Sequence, residues 1–282
     1  MTAAGEGDHS QARTAAGTED ARVKKSLTWA FTTGAGIGVL GGMIGLGGAE
    51  FRLPLLIGVF GFLALQAVIL NKAMSLIVVL TALPARLLSV PYSDIAAQWS
   101  VIVNLLGGTL IGAWAGATWA TKMRSATLYR VLAALLVLIA VALAWSHFGG
   151  TGSLELSPAT RTVTGIVAGL AIGVVAALMG VAGGELLIPA IVLLFAVDIK
   201  TAGSLSLAVS LPTMLVAFAR YSRDESFRVL RGNGRFLAAM SAGSITGTVL
   251  GGLLLGAVPE IVLIPLLVGL LLLSSVKVWR HQ

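Results

Sequence analysis

The sequence predicts an all-α polytopic membrane protein, with about 8–10 transmembrane segments in two inverted repeats that contain glycine-broken helices. Three observations predict it. The composition is too apolar for one soluble core, apolar segments recur along nearly the whole chain, and two distant blocks match each other at one fixed offset. Of 282 residues, 57% are hydrophobic and 11% charged, with a mean hydropathy of +0.95. Soluble domains carry about 25% charged residues, so the bilayer must solvate most of this surface. The 35 glycines agree, because small residues let membrane helices approach closely.

Composition also excludes functions. The chain has no cysteine, which removes disulfides, thiolate metal sites and cysteine nucleophiles. Its histidines, His9, His147 and His281, fall in the tail, at a predicted loop and at the C-terminus. No histidine-based metal site or triad is expected, and no cofactor. A phosphate loop of the G-x-x-x-x-G-K-[ST] type is absent, so direct use of ATP would need another subunit. The net charge of +7 raises the question of nucleic acid, but in such an apolar chain basic residues orient the protein in the membrane. The chain is therefore expected to be no enzyme and to bind no nucleic acid.

Residues 1–25 are rich in Ala, Gly, Thr and charge, lack an apolar stripe, and read as a disordered cytoplasmic tail. Ten apolar segments follow, roughly 27–48, 51–70, 72–90, 98–120, 126–147, 160–182, 185–197, 201–219, 235–257 and 260–279. Most approach the ~20 residues that cross ~30 Å of hydrocarbon. Segment 185–197 is too short and reads as a half-helix, with 51–70 its counterpart. An N-terminus in the cytoplasm places Lys122, Arg124, Arg130, Arg220, Arg223, Arg228, Arg231, Arg235, Lys277 and Arg280 inside. Asp94, Glu155, Asp198 and Glu260 then lie outside, with Arg161 and Lys200 the clear basic exceptions. This positive-inside pattern predicts a multi-pass protein of the bacterial inner membrane with both termini cytoplasmic. Parity survives if 27–48 and 51–70 form a re-entrant hairpin.

Residues 36–54 read GIGVLGGMIGLGGAEFRLP and residues 171–189 read AIGVVAALMGVAGGELLIP. An offset of 135 superposes Gly48 on Gly183, Glu50 on Glu185 and Pro54 on Pro189. The same offset superposes GGTLIGAWAG (107–116) on AGSITGTVLG (242–251). Between the blocks the register slips, so that AMSL (73–76) matches AGSL (202–205). This divides the chain into a first membrane repeat, 26–150, and a second, 151–282. An odd number of segments per half inserts the halves with opposite orientation, a common construction of secondary transporters.

The repeated element carries the chemistry. A double glycine weakens a helix by about 1 kcal/mol per residue and admits positive φ. Proline shortly afterwards suits a first helical turn. The pattern is helix, break, fresh helix start, whose free N–H groups and positive dipole end suit an anion. The amides of Gly47, Gly48, Gly183 and Gly184 are the candidate ligands, with the matched Ser75 and Ser204 assisting. Glu50 and Glu185 are intramembrane carboxylates, functional candidates by default. They read equally as proton-coupling groups or as first-turn residues that stabilise the dipole. Arg52 has no basic mate, since Leu187 takes its place, and could pair with Glu50, reach the interface or bind substrate. Lys72 reads as an interfacial anchor at the start of a span, and Asn71 as one of several polar residues within apolar segments.

The segments GLGGAEFRLP and GVAGGELLIP, the serine–leucine pair after each, and the two-half plan resemble the sulfite exporter TauE/SafE family over residues 27–280. The resemblance implies a bacterial permease, usually an exporter, of sulfite, sulfonates or related sulfur anions. Ala49 and Ala182 interrupt the family's glycine triplet, and the acidic residue after the glycines is not general to it. The expected function is secondary transport of a small sulfur-containing anion, with membrane lipids as surroundings and protons as the candidate coupling ion. The alternative is a permease for a cation or other small metabolite that uses Glu50 and Glu185 as ligands. An intramembrane hydrolase lacks a base, and matched intramembrane carboxylates argue against a purely structural role.

Overall fold

The structure, a computed structural model, describes residues 27–43, 48–89, 92–148, 157–254 and 260–280. The expected tail and Gly47 lie outside these residues. Among them the chain is helical, with no strand. Helix α1 covers 27–43. It is followed by α2 (Ala49–Gly58), α3 (Ala64–Ser89), α4 (Tyr92–Ala97), α5 (Trp99–Lys122) and α6 (Ser125–Phe148). The second half holds α7 (Pro158–Met179), α8 (Gly184–Phe195), α9 (Ile199–Tyr221), a 3-10 turn (Glu225–Arg228), α10 (Val229–Gly232), α11 (Gly234–Leu253) and α12 (Glu260–Trp279). Six of the described helices, α3, α5, α6, α7, α9 and α11, are long and apolar enough to cross a membrane. Their outward faces carry large apolar side chains such as Ile111, Val163, Val167 and Val249, and Trp29, Trp99 and Trp279 stand exposed near helix ends, as interfacial aromatics do.

One expected element divides differently. Segment 51–70 is not a single helix. Its first part belongs to α2, the chain turns through Val59–Leu63 with Gly61 at φ 73, and the remainder opens α3. Asn71 and Lys72 therefore sit inside a 26-residue helix and mark no boundary. At ~1.5 Å per residue, Lys72 stands ~12 Å along α3, close to the middle of a ~30 Å hydrocarbon layer.

Glycine decides how the halves meet. Helix α5 crosses α7, and α1 crosses α11, each so closely that a Cβ on either side would strike backbone. Gly108 faces the carbonyl of Ile166 and the N–H of Leu170, whereas Gly243 faces the carbonyl of Phe31 and the N–H of Ala35. Gly112 meets Leu170 and Gly247 meets Ala35. In return Gly169 and Gly173 meet Leu105 and Thr109, while Gly34 and Gly38 meet Met240 and Ser244. Each of these contacts at one crossing has its counterpart at the other, displaced by the 135 residues that relate the sequence blocks. Numbering rises together along both partners of each pair, so α5 runs parallel to α7 and α1 parallel to α11. Each crossing joins a helix of one half to a helix of the other. Around them α12 packs on α6 and on α2, and α9 packs on α5, α3 and α8.

Candidate functional site

The two half-helices begin in the same way. Gly48 has φ 69 and ψ 20, and Gly183 has φ 85 and ψ 7, so each glycine turns the chain through the left-handed region. A side chain there costs roughly 1–2 kcal/mol, and at Gly48 a Cβ would also lie 2.6 Å from the Ile37 carbonyl oxygen and 2.8 Å from its Cγ2. The Gly48 carbonyl accepts the N–H groups of Phe51 (3.2 Å) and Arg52 (3.3 Å), and the Gly183 carbonyl those of Leu186 (3.1 Å) and Leu187 (2.9 Å). Neither N-cap has a side-chain cap. The first-turn N–H groups of both helices thus lack an intrahelical acceptor at the positive dipole end. Pro54 and Pro189 stand sixth in their helices, past the first turn expected of them. Each withholds the N–H that would reach the carbonyl of the glutamate four residues earlier.

The two glutamates meet. Glu50 is 2% exposed and Glu185 half-buried, and their carboxyl groups lie within hydrogen-bonding reach of each other. The Oε2 atom of each is buried with no hydrogen-bond partner. Arg52 is 0% exposed, the largest of the fully buried side chains, and Nε, Nη1 and Nη2 all lack a hydrogen-bond partner. Glu50 is close enough for its charge to act on Arg52. Buried polar groups are almost always paired, so each orphan calls for an explanation.

Helix α3 supplies the rest, through residues that sequence reasoning placed elsewhere. Lys72 is not an interfacial anchor: it is 1% exposed, and its Nζ donates to the carbonyls of Ala176 (2.8 Å) and Val181 (2.6 Å). The Nδ2 of Asn71 donates to Ala49 (3.0 Å), at the start of α2, and to Met179 (3.1 Å), at the end of α7. One side-chain amide therefore bridges both breaks, while its Oδ1 stays buried without a partner. The Ser75 hydroxyl donates to the Gly180 carbonyl (3.3 Å), and Tyr221, from the end of α9, donates to Ala177 (2.9 Å). The carbonyls freed where α7 stops are thus met by side chains of α3 and α9. A polar pair in the middle of a buried helix looks like a loop to hydropathy alone, and that hid Asn71 and Lys72. The signal available was their spacing from Gly58 and Gly61, which mark the real turn.

The structure therefore brings Glu50 and Glu185 together, with Arg52 acting on one and Lys72 on the other. It places Gly48, Gly183 and Gly184 at the helix starts. Ser75 spends its proton on a backbone carbonyl. Ser204 is buried and its hydroxyl has no partner. Ser206, rather than Ser204, is the side chain nearest to Gly184, with its Oγ 4.0 Å from where a Cβ would stand.

Six long apolar helices around two broken helices, with charge buried at the breaks, define a multi-pass membrane protein. The family model described as Sulfite exporter TauE/SafE matches residues 30–278. The chain belongs to this family of membrane transporters. No curated protein and no solved structure matches it.

Proposed function

We propose that the protein is a secondary transporter, acting as an exporter, of sulfite, an organosulfonate or a related small sulfur-containing anion across the inner membrane. The observation that carries this reading is Arg52, a fully buried guanidinium with three unpartnered nitrogens in the first turn of an uncapped half-helix. A planar fork of donors matches the oxygens of a sulfur oxyanion as it matches those of a carboxylate or phosphate. The amides of Gly47, Gly48, Gly183 and Gly184 add donors at two positive dipole ends. Ser204 adds a free hydroxyl, and Ser75 holds the α7 terminus in place. Two carboxyl groups can share a hydrogen bond only through a proton held between them. Glu50 and Glu185 therefore act as the proton-coupling pair, one from each half. The equivalence of the two glycine crossings supports inverted repeats, 26–150 and 151–282, that rock about this site.

The experiment is sulfite and organosulfonate flux in proteoliposomes, with and without an imposed pH gradient. Flux that follows the gradient is expected, and Glu50→Gln together with Glu185→Gln should leave flux that no longer follows it. A cation permease is the outcome if glutamine at both positions abolishes transport of a cation and no sulfur anion moves. Absence of any sulfur-anion flux from folded, inserted protein would overturn the substrate reading.

A further inference from the structure

A helix that stops inside a membrane leaves carbonyl oxygens and a partial negative charge with no water to answer them. Broken helices in transporters offer such ends to a free cation. At the end of α7 the position is already filled. The Lys72 ammonium reaches the Ala176 and Val181 carbonyls at 2.8 and 2.6 Å, the lengths of charge-assisted bonds. Asn71, Ser75 and Tyr221 take the carbonyls of Met179, Gly180 and Ala177 around it. Glu185 opens the next half-helix, and its charge acts on the same ammonium. The register that aligns AMSL with AGSL puts Thr201 in the place of Lys72, partly exposed near the start of α9. In this register Lys72 has no basic mate in the second half.

We infer that Lys72 is a tethered cation, seated in a backbone-carbonyl site at the end of α7 that would take a free alkali or alkylammonium ion if the lysine were removed. Its covalent attachment gives it an effective concentration that no dissolved ion matches, so the native chain needs neither Na⁺ nor K⁺ at this break. The ammonium also fixes α3 to the point where α7 ends and α8 begins, and so positions the Gly183 turn.

The test uses the purified full chain with Lys72→Ala, in choline chloride and in equal concentrations of sodium, potassium or ethylammonium chloride. The native protein is expected to melt at one temperature in all four salts and to carry sulfite equally in each. The variant should melt lower in choline, recover by ~5 °C or more in at least one of the three small cations, and regain in that salt sulfite flux that choline leaves at least ~10-fold down. Lys72→Met, which keeps the volume of the stem, serves if the alanine variant does not fold. No response of either variant to any cation, or a native flux that depends on Na⁺ or K⁺, overturns the inference. The inference rests on the transporter reading only for its flux arm. Melting needs no substrate, so a cation response without sulfur-anion flux removes that reading and leaves this one.

Discussion

Arg52 is held at a cost. Taking a guanidinium out of water costs several kcal/mol unless hydrogen bonds meet it, and here all three nitrogens lack a hydrogen-bond partner, with only the charge of Glu50 nearby. Methionine fills a similar volume and carries no charge. Arg52→Met is therefore expected to raise the melting temperature or leave it unchanged, while anion flux falls by at least ~10-fold, the trade expected where function is kept at the expense of stability. A variant that melts much lower would mean that Arg52 holds the fold together, and melting curves beside flux settle the matter. This residue, Glu50 and Glu185 were all legible in the sequence, because a charge beside a double glycine in an apolar run has few bland explanations. Two breaks related by the repeat are expected to meet near the bilayer middle, but the mutual contact of the glutamates was not legible, since it depends on how their side chains turn once the breaks meet. Lys72 was misread for a physical reason. The Asn71–Lys72 pair is flanked by apolar runs on both sides, and only the length of α3 distinguishes a buried lysine from one at a membrane surface.

The helices meet through backbone, and that makes their crossings intolerant. A Cβ at Gly112 would strike the Leu170 carbonyl, and one at Gly247 would strike the Ala35 carbonyl, whereas Gly107 and Gly252 have nothing within 4 Å. Gly112→Val and Gly247→Val should destabilise the protein by similar amounts, about 1–3 kcal/mol each for overpacking. Gly107→Ala and Gly252→Ala should be neutral or slightly stabilising. Thermal melts of the four variants check both the magnitudes and the equivalence of the crossings, and a large difference between Gly112→Val and Gly247→Val would deny that equivalence. At the start of α9, Asp198 caps the helix: its Oδ1 accepts the N–H groups of Lys200 and Thr201 at 3.0 Å each. The Thr201 hydroxyl first, and these N–H groups after it, hold the carboxyl below its usual range. The stabilisation is present at neutral pH and is lost as pH falls through that lowered value. Asp198→Ala should lower the melting temperature at neutral pH, and the gap to the native protein should close in acid. Seven of the expected segments match helices within a few residues, because a long apolar run between polar ends has few alternatives in lipid. The boundary at 70–72 failed because buried Asn71 and Lys72 imitate a loop.

Helix lengths and contacts give an expected path of the described helices through the membrane. Helix α2, with 10 residues, spans ~15 Å and cannot cross. A Cβ at Gly58, its last residue, would touch the stem of Lys277 in the last turn of α12 at 2.7 Å, so the ends of these two helices share one side. Helix α3 then starts from that side and crosses alone. Helix α8, with 12 residues, is likewise too short to cross, whereas α9 is long enough. On the inverted-repeat reading proposed above, each half would comprise one re-entrant hairpin and three crossings, and three is the odd number that would invert the second half. The absence of cysteine lets single substitutions read this out directly. Leu63 is 56% exposed just before α3, Ser222 is exposed at the end of α9, and Ser157 is exposed at the start of α7. Leu63→Cys and Ser222→Cys are expected to react with a membrane-impermeant maleimide only in inside-out vesicles, and Ser157→Cys only in intact spheroplasts. If 51–70 crossed as one helix, Leu63 would lie within the hydrocarbon and Leu63→Cys would be silent in both preparations. Reaction of Leu63→Cys and Ser157→Cys from the same side would remove the inversion itself. An anion site shared by two oppositely inserted half-helices could not then stand.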